Sequence, residues 1–100
     1  MLTIRYDDGH GTVQEWTLSF DPPGGTHPDP EAACRALAEH GRTALAPVPD
    51  NQPCTMIYGG PQTARITGTW KGEPVDAMLS RTDGCEIARW KALRGLLPAS

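Results

Sequence analysis

"ARITGTWKGEPVDAML" (residues 64–79) decides the fold. Ala64, Ile66 and the run from Gly68 to Trp70 alternate with polar residues, and Val75, Ala77 and Leu79 do so again after "KGEP" (residues 71–74). Successive side chains of a strand point to opposite faces, so this period of two predicts two strands with one face buried. The turn residues between them make the pair an antiparallel hairpin.

The same pattern lies upstream. Leu2, Ile4 and Tyr6 alternate with Thr3 and Arg5, "DDGHG" (residues 7–11) turns, and Trp16, Leu18 and Phe20 resume the alternation. That is a second hairpin, with a loop too long for a two-residue turn. "DPPGGTHPDP" (residues 21–30) then ends the pairing, since proline lacks the ladder donor and paired glycines permit positive φ. Asp29, Pro30 and Glu31 supply an N-cap oxygen, a proline at N1 and an acid in the first turn. The predicted helix runs to about His40 and stops at Gly41, with Cys34, Leu37 and Ala38 on one apolar face. Residues 42–53 read as irregular. In the last stretch Ile87, Trp90, Leu93 and Leu97 predict a short C-terminal helix. The expected fold is α+β: a two-layer sandwich, an antiparallel sheet of four or five strands with one or two helices packed on one face. One domain is expected over residues 1–100.

Composition narrows the function. The net charge is −3 and the nine Lys and Arg are scattered, which argues against nucleic acid as a partner. No apolar run approaches the length of a membrane span, so no membrane partner is expected. "MLTIRYDDG" (residues 1–9) has neither a basic n-region nor a long apolar h-region, and no signal peptide is read. Cys34, Cys54 and Cys85 are an odd number, so one thiol is left over, and the count does not say which two pair.

Enzyme chemistry lacks a carrier. Cys34 with His27 or His40 would make a nucleophile and base, but Cys34 is expected on an apolar helix face, where a thiolate is disfavoured. The cysteines and histidines have no local metal-ligand spacing, Asp7 and Asp8 read as turn residues, and no phosphate-binding glycine loop or nucleophile elbow is present. No metal, no cofactor and no catalytic residue is expected. Trp16, Trp70 and Trp90 read as core or interface anchors.

"CTMIYGG" (residues 54–60) is different in kind. Met56 and Ile57 are large and apolar, in a segment whose prolines and glycines forbid regular pairing on both sides. Were Cys54 bridged to Cys85, an extended peptide would be pinned just before Thr55, Met56, Ile57 and Tyr58. A protease cleft recognises such a peptide by main-chain pairing plus one side-chain pocket. Burial of the pair in a short core strand explains the composition equally well, and residue types alone leave the two readings even.

Four blocks, "DPPGGTHPDPEAACRALAEHG" (residues 21–41), "CTMIY" (residues 54–58), "GTWKGEPV" (residues 68–75) and "CEI" (residues 85–87), resemble the Streptomyces subtilisin inhibitor family in order and spacing. The resemblance covers roughly Leu2 to Ile87. It implies a secreted, commonly homodimeric inhibitor of subtilisin-like serine proteases, with a five-stranded antiparallel sheet and two helices. It further implies a reactive loop of Cys54, Thr55, Met56, Ile57 and Tyr58, with Met56 entering the specificity pocket and Met56–Ile57 as the scissile bond. Cys54 and Cys85 match the family bridge beside that loop. Phe20 stands where the family has the cysteine that pairs with Cys34, which makes Cys34 the leftover thiol; Phe20 is expected to pack over it. "YGGP" (residues 58–61) adds a residue beyond the scissile bond, and Gly59 and Gly60 are expected to loosen the segment. After Ile87 the family's final apolar strand is replaced. The unread leader and the missing bridge set an alternative beside the extracellular inhibitor: a cytoplasmic interaction domain that keeps the fold with a loosened loop.

Overall fold

The computed structural model describes residues 1–20, 22–49 and 51–98. Its elements in chain order are β1 (Leu2–Asp7), β2 (Val13–Leu18), α1 (Pro30–Ala44), β3 (Thr63–Trp70), β4 (Glu73–Leu79) and α2 (Gly84–Ala92). The strands form one antiparallel sheet in the order β2-β1-β3-β4. Register follows the alternation: Trp16, Ile4, Ile66 and Ala77 lie side by side across the four strands. Ile4, Ile66 and Ala77 are buried, and the next row outward, Glu15, Arg5, Arg65 and Met78, is exposed. One face of the sheet therefore carries the core and the other lies uncovered.

Both predicted hairpins form. Lys71 and Gly72 make the β3–β4 turn at positive φ (53° and 77°), the pairing that matches strand twist. Pro74 falls within β4 opposite Thr69, tolerated because β4 is an edge strand. Strand β2 ends at Leu18, two residues short of Phe20, and the chain turns through a bridge between Ser19 and Gly24.

Helix α1 departs from the expectation in two ways. It runs through Gly41 to Ala44, and its buried positions are Ala33, Ala36, Leu37, Gly41 and Ala44, while Ala38 is exposed. The buried row thus falls about one residue from the one predicted, leaving Cys34 half-buried at its edge. Gly41 belongs to that row. A Cβ there would lie 2.6 Å from the Trp70 ring, so the glycine serves close packing against β3 and does not end the helix. Asp29 caps the start, accepting from the N–H of Ala32 at 3.2 Å.

Helix α2 packs Trp90 into the core at 2% exposure, with Leu93, Leu96 and Leu97 buried beyond it. The Trp90 indole N–H donates to the carbonyl of Pro98 at 2.8 Å. Among the described residues no strand follows α2, so the sheet has four strands and two helices. Arg89 ties the helices together, donating from Nε to the carbonyl of Ala44 at 2.9 Å and from Nη1 to both carboxylate oxygens of Glu86 at 3.1 Å.

Candidate functional site: an exposed segment held at both ends

Residues 53–60 belong to no helix or strand. Met56 is 95% exposed, Ile57 57% and Tyr58 67%, which decides against burial of the pair in the core. Among the described residues, no hydrogen bond engages the backbone of Met56, Ile57 or Tyr58. Three large side chains and their main-chain groups are thus turned to solvent, although burial would be favourable by roughly 1.5 to 3 kcal/mol for each such side chain.

The segment is fixed from both sides. On the upstream side Cys54 is bridged to Cys85 with Cα atoms 5.3 Å apart, the pairing that the resemblance implied. One residue on, the Thr55 carbonyl accepts from the N–H of Gly84 at 2.9 Å. Gly84 and Cys85 open α2, whose start is set by Asp83 accepting from the N–H of Glu86 at 2.9 Å. A Cβ at Gly84 would collide with Thr55 Oγ1, so only glycine lets the helix start approach this closely.

On the downstream side Gly59 makes two bonds to a single residue. Its N–H donates to the Arg81 carbonyl at 2.7 Å, and its carbonyl accepts from Arg81 Nε at 3.0 Å. Arg81 is only 8% exposed, and its guanidinium lies over the Trp90 ring, 5.7 Å from the centroid. The expected loosening at Gly59 is not what the fold does. A Cβ at Gly59 would stand 2.8 Å from Ile87 Cδ1, so this glycine is the close-contact point where the segment lies down on α2 and on Arg81 just past β4.

Both anchors lead back to Trp90, which sits on α2 with Cys85 and beneath Arg81. Tyr6 meets the Trp90 ring edge-on at 6.0 Å and stacks on Trp16 at 6.1 Å. Burial raises the pKa of the Tyr6 phenol, and the nearby Asp8 carboxylate adds to the rise.

The other candidates fall into structural roles. The N–H of Asp29 donates to His27 Nδ1 at 3.0 Å, so Nε2 carries the proton and donates to the Leu96 carbonyl at 2.8 Å. Both ring nitrogens are occupied and leave none to act as a base. His40 is exposed beside Glu39 at 3.7 Å. Asp7 and Asp8 accept from the N–H groups of Gly9 and of His10 and Thr12, as turn residues do. Among the described residues one group of metal-type ligands converges, Cys54, Asp83 and Cys85. Its sulfurs are bonded to each other and its carboxylate caps α2, which leaves no open ligand set. Phe20 and Cys34 line one cleft of about 320 Å³ with Pro23, Ala38, Trp70 and Lys71, where the Cys34 thiol donates to the Ser19 carbonyl at 3.7 Å.

Residue patterns find Met56 and Ile57 but miss the pieces that hold them. An Asp followed three residues later by Glu, at Asp83 and Glu86, is a helix-start signal that would have set α2 and with it Gly84. Nothing local marks Arg81, whose partner lies twenty-two positions away.

Known proteins resemble the chain throughout this region. The family model for subtilisin inhibitor-like proteins matches residues 1–80. Subtilisin inhibitor-like protein 1 of Streptomyces cacaoi is 38% identical over 80 residues, spanning 76% of this chain and 72% of that protein. The subtilase-type protease inhibitor of Streptomyces fradiae is 36% identical over 92 residues, 86% of this chain and 63% of that protein. Among solved structures, Streptomyces caespitosus sermetstatin in complex with Bacillus licheniformis subtilisin matches with a TM-score of 0.60 at 26% identity, over 98% of this chain and 96% of that one. With a model match over most of its length and relatives at this identity, the chain belongs to the subtilisin inhibitor-like family.

Proposed function

We propose that this protein is an inhibitor, not an enzyme, and acts on subtilisin-like serine endopeptidases. It binds as a substrate does, through Cys54, Thr55, Met56, Ile57 and Tyr58, with Met56–Ile57 as the scissile bond. One observation carries this reading: a run of exposed side chains and unengaged main chain, anchored on either side. Open N–H and C=O groups on an extended peptide can add a strand to a protease cleft, and a side chain that stands clear can fill its pocket. Anchors on both sides mean that little order remains to be imposed on binding. The long apolar Met56 side chain suits an apolar pocket and not the buried acid of a trypsin-like one.

Family membership supports the inhibitor activity, and the sermetstatin complex supports subtilisin as the kind of partner. The whole chain, residues 1–100, acts as one inhibitor domain. Its working compartment is extracellular, since a bridge such as Cys54–Cys85 persists where conditions are oxidising. Two copies pair through the uncovered sheet face, on which Met78 is 59% exposed; sedimentation showing only monomer at high concentration would remove the pairing alone. Titration tests the activity: rising protein suppresses subtilisin hydrolysis stoichiometrically, trypsin is spared, and Met56→Asp abolishes the effect without lowering thermal stability. Unimpeded hydrolysis at excess protein overturns the reading.

A further inference from the structure

Among the described residues, Arg81 and His27 are the buried polar or charged side chains. Among the described residues no carboxylate lies within ion-pair distance of it. A buried guanidinium without a carboxylate is costly unless something else uses it. What uses it here is Gly59, three residues past Met56, which Arg81 grips through its own carbonyl and through Nε. The aromatic face of Trp90 supports the guanidinium from the core side.

We propose that Arg81 is the positioning residue for the downstream half of the exposed segment, and that it holds Ile57 in place after the Met56–Ile57 bond is cut. The inference rests on the inhibitor reading above. In the acyl step the protease serine Oγ bonds to the Met56 carbonyl carbon as the C–N bond to Ile57 breaks, and the proton leaves with the new amine. Water can then release a Met56 carboxylate, or the Ile57 amine can attack the ester, re-form the peptide bond and expel the serine. Which occurs depends on whether the amine stays within reach. The upstream half is retained by Cys54. The downstream half rejoins the sheet at β3, but from Ile57 to Gln62 the described residues offer its backbone two hydrogen bonds to the rest of the fold, both between Gly59 and Arg81. Losing the side-chain bond, which a charged donor makes, lets the amine swing away.

Arg81→Met keeps a stem over Trp90 and removes the donor; Arg81→Lys keeps a cation. The intact chain and both variants are incubated with subtilisin until the ratio of clipped to intact inhibitor is constant, and Gly59 amide exchange is measured in each isolated protein. Arg81→Met is expected to raise the clipped-to-intact ratio and the inhibition constant by about tenfold or more, and to speed Gly59 exchange to a similar extent. Arg81→Lys recovers part of each. A role confined to core stability would lower the melting temperature and leave the clipped-to-intact ratio unmoved once corrected for unfolded protein, and that outcome overturns the proposal. If the wild-type chain does not inhibit subtilisin, the inhibitor reading fails. Gly59 exchange still decides the positioning role in that case, because unchanged exchange in Arg81→Met overturns it and faster exchange upholds it.

Discussion

Two places in this chain match, by the resemblance read from its sequence, the two bridges of the family, and they are held by different forces. At the first, Cys54 and Cys85 are covalently joined next to Met56 at 95% exposure. At the second, where the resemblance puts a cysteine opposite Cys34, Phe20 packs with Cys34 against the core. The difference follows from what each place can bury. Residues around Cys34 lie between α1 and the end of the sheet, where an aromatic ring leaving water recovers much of what a crosslink closing so short a loop would contribute. The segment from Thr55 to Tyr58 is exposed throughout, so packing has little purchase on it. Only bonds fixed at its two ends can hold it, and the bridge is one of them.

The sharpest break between the two places is expected from their sulfurs. Replacing Cys54 and Cys85 together by serine costs about 3 to 4 kcal/mol, the entropy of opening a loop closed across 31 positions, read by denaturant unfolding. The same variant is expected to be cut at Met56–Ile57 and released. Cys34→Ser changes stability by less than about 1 kcal/mol, since a hydroxyl can keep the bond to the Ser19 carbonyl. Equal losses from the two changes would erase the contrast.

Phe20→Ala comes next, at about 2 kcal/mol for removing a half-buried ring, with subtilisin inhibition unaffected. Phe20→Cys, oxidised, is expected to join Cys34 with the loss of a pair of hydrogens by mass and to regain most of that stability. If the two thiols stay apart, Phe20 is not the packing substitute for a bridge.

The smallest effect lies on the uncovered sheet face, where neither sulfur nor packing acts. Arg65 donates to both oxygens of Asp76, at 3.1 and 3.0 Å, and holds its carboxyl below the ordinary 3.8. A depressed folded-state pKa contributes stability above pH 3.8 that is lost as the pH falls through the lowered value. Both groups are exposed, so the contribution is small and weakened by salt. Asp76→Asn should flatten the acid side of the stability curve below about pH 4 and leave neutral stability nearly unchanged. A variant losing as much at pH 7 as Phe20→Ala would show charge to matter more than packing.

The sheet was legible because its rule is local: alternation in Leu2 to Tyr6 and in Ala64 to Leu79 names both the strand and its buried face. Helix α1 was legible at its start, where Asp29 and Pro30 act on neighbours, and misread at its end. Gly41 looks like a stop signal in sequence, and only the position of Trp70, brought across by β3, reveals it as a packing contact. The exposed segment was half legible. Its side chains are anomalous wherever they are placed, but composition cannot say whether Met56 points in or out. The pieces that hold it, Gly84 against Thr55 and Arg81 on Gly59, depend on contacts across the fold, and Gly59, read as loose, is held for that reason.

The most direct test of the central claim is hydrogen exchange of the chain alone and with subtilisin bound. The account predicts that Gly59 is already protected in the free protein, through its bond to the Arg81 carbonyl, and that binding adds protection at Met56 to Tyr58 while leaving the β1 and β4 amides as they were. Protection appearing on the sheet instead, with the amides of Met56 to Tyr58 still exchanging freely in the complex, would contradict it.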